Sequence, residues 1–596
     1  MKLRLILMLA LVSACTHSSA RPSPAAMPLR PFDASQPLNE AQRRWVDSTL
    51  ATLSLRERVG QMVMVWVLGD YTSNGDSSFA EVRRWIQQDH IGGVSMSLGT
   101  PIEVAAKINA MQRMSSVPLL VSSDLEPGLG RLEGGVFSHY LMDAGSATIF
   151  PSNMAIAATG RDQDAHDVAR AIGEEARAVG IQIDFAPVVD VNNNPSNPVI
   201  NTRSFGEDPA RVARLSALFV RGLEETGTAA TAKHFPGHGD TDVDSHVGLP
   251  IVGATMSRLD SVELVPFRAA IRAGAALVMT AHIALPAVAG DSTTPATLSP
   301  RIITGLLRDS LGFRGVAITD AMTMEGVGKG YTTEQSSVLA IQAGSDILLK
   351  PTDPTRAIDA VVAAVERGAI SRQRIDSATR QVLELKARLG VNANRAADLE
   401  ALREVVGSPA HRALATDVAQ RAITLLRDRD GAVPLRAQRT LIVQYAPETE
   451  LKAGRVFAPT LLGALPGSRA VKILPNVSRS QLDSIAAFGQ GMDRLVVATY
   501  VRRIEGEGRF AMPPQIASWI DSLASQNTGP KLIVAAFGNP YIIRQFPHVG
   551  SYLVTYGVSD DLELGAARAL LGVAPITGRA PISLPGFFRA GEGLVR

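Results

Sequence analysis

The chain has 596 residues, of which 46% are hydrophobic and 19% charged, with 59 Lys and Arg against 57 Asp and Glu for a formal charge of +2. Such a length exceeds what one hydrophobic core usually serves and implies two or three domains, while the balanced charge, with no Lys/Arg run interleaved with aromatics, argues against nucleic acid as a partner. Cys15 is the only cysteine, which excludes a disulfide within one copy.

Lys2 and Arg4 introduce the apolar run LILMLALV, too short to span a bilayer and patterned like the h-region of a signal peptide. It leads into VSAC at 12–15, which resembles a lipobox. Residues 1–14 are therefore expected to be removed, Cys15 to carry lipid, and residues 15–36, rich in Ser, Pro and Ala, to form a flexible tether. The protein would then be exported and anchored to a membrane, on the periplasmic or cell-surface side. An ordinary secretory peptide with a coincidental cysteine is the alternative. No later stretch is long and apolar enough to cross a membrane.

From about residue 40, short apolar runs alternate with longer helical patterns, the mark of parallel strands with crossover helices. Eight such runs occur: MVMVWV from 62, GGVSMS from 92, PLLVSS from 118, IQIDFA from 181, ATAKHF from 230, ALVMTA from 276, GVAITD from 315 and DILLK from 346. Eight strands over residues 37–392 fit a (β/α)8 TIM-like barrel, although periodicity alone leaves an open sheet in play. After Gly390 the composition turns to alanine, arginine and small polar residues, and 393–420 reads as a linker. A second alternation, with RTLIVQY from 439, DRLVVATY from 493, KLIVAAF from 531 and SYLVTY from 551, predicts a smaller three-layer α/β/α sandwich over 421–596.

The chemistry concentrates in KHFPGHGDTDVDSH at 233–246, which packs three of the ten histidines and three aspartates among glycines. Lys233 and His234 close an apolar run and so stand at a strand's C-terminal end. Three readings compete: a solvated polar loop, a metal site built on His234, His238 and His246, and a histidine oriented by a carboxylate for proton transfer. No spacing of the HExxH kind puts two of the histidines on one helical face. Asp244 and His246 are two apart, so in extended chain their side chains fall on the same side. Asp124, Lys233, His234, His282 and Asp320 all fall at C-terminal strand ends, where a barrel carries its active site. Taken alone, Asp320 also has a lesser reading as a helix N-cap for AMTMEGV.

KHFPGHGDTDVDSH resembles the signature of bacterial β-N-acetylglucosaminidases of glycoside hydrolase family 3. It is joined, in the family's order, by PLLVSSDLE at 118–126, NTRSFGEDP at 201–209 and GVAITDAMTM at 315–324, so the resemblance covers nearly the whole mature chain. It favours the barrel over the open sheet and implies a second sandwich domain. It also implies a retaining exo-glycosidase that removes terminal β-N-acetylglucosamine from peptidoglycan fragments or chitin-type oligosaccharides, with no metal or other cofactor. By resemblance, Asp320 in TDAM is the nucleophile, His246 the acid/base and Asp244 its orienting partner. Asp124, Arg203, Lys233 and His234 would bind the glycone.

Other residues have weaker claims. Arg203 has an ion-pair reading with Glu207 or Asp208. Glu126 is followed by Pro127 where relatives often carry glycine, His238 reads as turn chemistry, and His282 as a packed strand-end histidine. Two alternatives remain: a β-glucosidase or other family 3 exo-glycosidase drawing its acid/base from Glu505 or Glu507 of the second domain, and a glycan-binding lipoprotein without turnover. The presence of both nucleophile and dyad disfavours the latter. Phosphate in place of water as acceptor stays open.

Overall fold

The computed structural model describes residues 36–596 apart from 74, 136–146, 437, 503–510 and 527–528. The expected signal peptide, Cys15, and the glutamates Glu505 and Glu507 lie outside the described residues.

The first sheet contains β1 (Val63–Leu68), β2 (Gly93–Ser97), β3 (Leu120–Ser123), β4 (Ile183–Asp184), β5 (Ala229–Phe235), β6 (Leu277–Thr280), β7 (Val316–Thr319) and β8 (Leu348–Leu349). Each expected run holds one of them. Neighbours pair in parallel in the order β7-β6-β5-β4-β3-β2-β1-β8. A parallel bridge between Ile318 and Ile347, with the Thr319 N–H donating to the Ile347 carbonyl at 3.0 Å, closes the ring between β7 and β8. The outcome is a (β/α)8 barrel rather than an open sheet.

Side-chain alternation explains why these strands are apolar throughout. Met64, Leu120, Ile183, Leu277, Val316 and Ile318 fill the lumen as one cluster. Their neighbours Val65, Val121, Val278 and Ala317 point outward into the core that the surrounding helices complete. The helix Pro209–Glu225 is typical of that outer ring: Asp208 caps it by accepting the Arg211 N–H at 2.9 Å, proline opens its first turn, and Val212, Leu215, Phe219 and Leu223 recur at helical spacing on its buried face.

The second sheet contains β9 (Thr424–Asp428), β10 (Thr440–Tyr445), β11 (Arg469–Ile473), β12 (Arg494–Val501), β13 (Lys531–Gly538) and β14 (Ser551–Val554), in the order β11-β10-β12-β13-β14-β9. Only β9 runs antiparallel to its neighbour. On β13, Leu532, Val534 and Ala536 pack with Ile516, Trp519 and Ile520 on one side, while Ile533, Ala535 and Phe537 pack with Leu461, Leu562 and Ala566 on the other. That is a three-layer sandwich. The sequence runs anticipated β10, β12, β13 and β14 but not β9 or β11.

The helix Pro409–Ala422 lies across the segment expected as a linker, with Ala415 and Val418 in the barrel's core and Ala419 and Ala422 in the two layers of the sandwich. Further contacts reach the loop after β4: Asn192 Nδ2 donates to the Tyr541 hydroxyl at 2.8 Å, and Glu207 accepts both the Ser583 N–H at 2.7 Å and its hydroxyl at 2.6 Å. The second domain thereby braces the loop that carries Arg203. No described helix is long and apolar enough to cross a membrane.

Candidate active site

A cavity of about 400 Å³ opens at the C-terminal ends of the barrel strands. Asp124, Arg203, Lys233, His234, His246 and Asp320 all line it, as do Glu126 and His238. Asp244 lies behind His246, and His282 behind Asp320.

One wall is a charge network spanning β3, β5 and the loop after β4. The Lys233 ammonium, almost fully buried, donates to Asp124 at 2.6 Å and stands 3.4 Å from Glu126. Arg203 clasps Glu126 through both Nε, at 3.0 Å, and its terminal nitrogen. The Arg131 guanidinium adds a bond to the Asp124 carbonyl at 2.8 Å. Burial alone would raise the Glu126 carboxyl, but Arg203 and Lys233 outweigh it and bring it down to about 2. At Asp124, likewise, Lys233 and Arg131 overcome burial and hold the acid well below the usual carboxylate range. Asp124 keeps 44% of its side chain exposed toward the cavity, so this is a wall of fixed charges with one carboxylate open to a ligand.

This corrects only the alternative, ion-pair reading of Arg203. Its partner is Glu126, not Glu207 or Asp208, which are occupied by Ser583 and by the helix cap. Glu126 joins the two cations despite the proline that follows it.

Next to that wall, Asp190 organises the two histidines of the loop. Its carboxylate takes His234 Nδ1 at 2.7 Å and the His238 backbone N–H at 2.7 Å. Burial, reinforced by the charge of Arg203, pushes the His234 imidazole well below its ordinary pKa, so the ring is neutral with its proton on Nδ1 and an acceptor on Nε2. His238 is buried, with Nδ1 2.7 Å from the Thr241 hydroxyl and Nε2 2.9 Å from that of Ser245, which fixes the loop's path. Gly239 allows this loop to cross close to the loop after β4: a Cβ there would lie 1.8 Å from the Val191 carbonyl oxygen.

The loop then reaches over β7. The Gly326 N–H donates to the Ser245 carbonyl at 3.1 Å and Lys329 Nζ to that of Val247 at 3.0 Å, tying the segment around His246 to the one following Asp320. His246 Nδ1 lies 2.7 Å from Asp244 Oδ1, which also accepts the His246 backbone N–H at 2.9 Å. Asp244 is buried and His246 half-buried at the cavity wall.

Asp320 caps no helix. It projects into the barrel mouth, its Oδ1 accepting the Ala321 N–H at 2.7 Å. Although burial acts to raise it, the neighbouring His234 and His282 and the Ala321 N–H hold its pKa below the ordinary value, so it is ionised at neutrality. His282 props the segment from behind, with Nε2 at 3.0 Å from the Ala321 carbonyl and Nδ1 at 2.9 Å from the Thr297 hydroxyl.

An ionised carboxylate, a carboxylate-oriented imidazole and a wall of donors and acceptors thus share one pocket. Residues 54–385 match the glycosyl hydrolase family 3 N terminal domain over more than half of the chain. The chain belongs to glycosyl hydrolase family 3. It is 31% identical to a β-N-acetylglucosaminidase/β-glucosidase of Cellulomonas fimi, over 90% of this chain and 95% of that one. It is also 31% identical to a β-hexosaminidase A of Pseudoalteromonas piscicida, over 80% of this chain and 85% of that one. The structure of a family 3 β-N-acetylglucosaminidase from Paenibacillus superposes with a TM-score of 0.80 at 34% identity, covering 89% of this chain and 99% of that one.

The family 3 barrel was recognisable from four motifs, but several residues that shape its pocket carried no signal of their own. Asp190 sits in an apolar strand-end stretch, and its pairing with His234 depends on β4 and β5 being neighbours. Among the described residues no group of three or more His, Cys, Asp and Glu side chains is arranged to hold a metal ion.

Proposed function

We propose that this family 3 hydrolase is a retaining exo-β-N-acetylglucosaminidase in which Asp320 is the nucleophile and His246, oriented by Asp244, the general acid/base. The observation that carries the reading is the 2.7 Å contact between His246 Nδ1 and the buried Asp244, in the same pocket as ionised Asp320. That contact keeps a proton on Nδ1 and presents Nε2 for transfer.

In the first step the free oxygen of Asp320 bonds to C1 of the terminal sugar as the C1–O bond to the aglycone breaks, and the departing oxygen takes the proton from His246 Nε2. In the second, Nε2 takes a proton from water, the water oxygen bonds to C1 and Asp320 leaves. Two inversions restore the β configuration. Asp124 offers its open carboxylate to sugar hydroxyls, Lys233 and Arg203 offer N–H donors, and neutral His234 offers Nε2 as an acceptor. Such fixed donors and acceptors suit the far edge of a pyranose whose C1 faces Asp320. Peptidoglycan fragments and chitin-type oligosaccharides both present the required terminal sugar.

A β-glucosidase is the second reading, because the Cellulomonas relative's name carries both activities. Paired 4-nitrophenyl substrates test the two. The proposal expects kcat/KM for the β-N-acetylglucosaminide to exceed that for the β-glucoside by about a hundredfold or more; preference for the glucoside overturns the glycone assignment. Product analysis in phosphate buffer separates water from phosphate as acceptor. We further propose that the enzyme is exported and held to a membrane by lipid on Cys15, a reading supported by the short apolar leader and VSAC.

A further inference from the structure

Across the barrel mouth from the charge network, β1 and β8 carry a second pair of residues. On β1, Met64 lies in the lumen cluster, so Trp66, two residues on, faces the same interior at the strand's C-terminal end. It is 40% exposed and lines the cavity. Lys350, just beyond β8, has φ of +48° and is held there by its N–H, which donates to the Met64 carbonyl at 2.7 Å. This backbone turn sets its ammonium 4.3 Å from the centre of the Trp66 ring.

The charge on Lys350 differs from the others in the pocket. Lys233 is matched by Asp124, Arg203 by Glu126, and Arg131 leans on Asp124. Among the described residues Lys350 has the Trp66 ring as its partner and no carboxylate. A cation placed over an indole is attracted by the ring but not neutralised by it.

Position in the ring of strands gives the pair its meaning. The polar wall rises from β3 to β5, and β8 and β1 stand on the opposite side of the barrel. In a pyranose, C1 and C4 are opposite corners. A terminal sugar held by β3 to β5 at its C4 edge, with C1 at Asp320, directs its aglycone toward β8 and β1. We propose that Trp66 and Lys350 form the aglycone subsite and select a leaving sugar that carries a carboxylate. The exposed indole surface receives the C–H face of that sugar, and the unmatched ammonium meets its carboxylate. This inference rests on the reading of Asp320 as nucleophile and of the polar wall as the glycone site.

The test keeps the glycone and the linkage constant and changes one charge. The substrates are the β-1,4-disaccharide of N-acetylglucosamine and N-acetylmuramic acid and the same compound with its carboxylate converted to the primary amide. With the intact enzyme at low ionic strength, kcat/KM should favour the acid by about fivefold, the size of a partly exposed ion pair, and the ratio should fall toward one as salt is added. Lys350→Met should bring the ratio to about one by slowing the acid alone. Trp66→Ala should raise KM for both substrates, by about tenfold. An acid-to-amide ratio near one in the unaltered enzyme, a ratio insensitive to salt, or a ratio that survives Lys350→Met overturns the proposal. The salt series needs no variant, so a folding defect in either substitution does not blunt it. If the enzyme cleaves glucosyl and not N-acetylglucosaminyl linkages, the glycone reading fails, and the same acid and amide comparison on the glucosyl series still decides the role of Lys350.

Discussion

Asp190 and His234 are joined by a 2.7 Å contact at a fully buried site, and the same carboxylate holds the His238 backbone N–H at 2.7 Å. One side chain therefore sets both the tautomer of a pocket histidine and the entry of the loop that carries His246. Asp190→Asn keeps the shape but offers one acceptor oxygen where three donors converge, the His234 ring and the backbone N–H groups of His234 and His238. Leaving a buried donor unsatisfied costs about 1–3 kcal/mol, so the unfolding free energy measured in urea should fall by about 2 kcal/mol. The activity should fall further than the stability alone explains, by about a hundredfold in kcat/KM measured well below the unfolding midpoint. Wild-type kinetics in Asp190→Asn would show that this carboxylate only fills space.

His411, in the helix that joins the two domains, bridges two acids of a barrel helix, with Nε2 at 3.1 Å from Glu174 and Nδ1 at 3.0 Å from Glu175. Both ring nitrogens face carboxylates, so the arrangement requires the imidazolium. Hydrogen bonds from Glu174 and then Glu175 push the group up to about 9. A raised pKa stabilises the fold fully below the unfolded value of about 6.5 and progressively less as pH rises through the folded one. The gap in stability between the wild type and His411→Gln should be on the order of 2 kcal/mol at pH 6 and should shrink steadily toward pH 9.5. A gap that is flat or widens over that range contradicts the bridge.

Cys15→Ala, expressed with the native leader, should move the enzyme from the membrane fraction to the soluble exported fraction. If parent and variant partition alike in detergent extraction, the lipid anchor is wrong.

All eight barrel strands were legible because strands buried on both faces read as unbroken apolar runs, but their number left an open sheet in play, and the closure rests on the bridge between Ile318 and Ile347. In the second sheet, β11 escaped because its residues Arg469–Ile473 form a largely exposed edge that lacks the apolar signature. β9 escaped because Thr424–Asp428 follows the helix ending at Ala422 almost without a break. At the site, Asp124, Lys233, His234 and Asp320 could be placed by a local rule, the strand end. The claims of Asp190 and Glu126 were not local: each acquires its partner only when strands distant in sequence become neighbours, and Arg203 was drawn in sequence toward the adjacent Glu207 or Asp208 instead of Glu126, some eighty residues away. Trp66 and Lys350, 284 positions apart, meet only because β1 and β8 pair.

The central claim is the division of labour between Asp320 and His246, and azide tests it most directly. Asp320→Ala should nearly abolish turnover of every substrate. In His246→Ala, an aglycone as acidic as nitrophenol still leaves unaided, so glycosylation survives while water, lacking a base, attacks slowly. With 4-nitrophenyl β-N-acetylglucosaminide the variant should give a burst of nitrophenolate equal to the enzyme concentration. Added azide should then restore turnover, with β-glycosyl azide as the product. Equal losses on good and poor leaving groups, with no burst and no glycosyl azide, would remove His246 from the acid/base role and turn attention to Glu505 and Glu507.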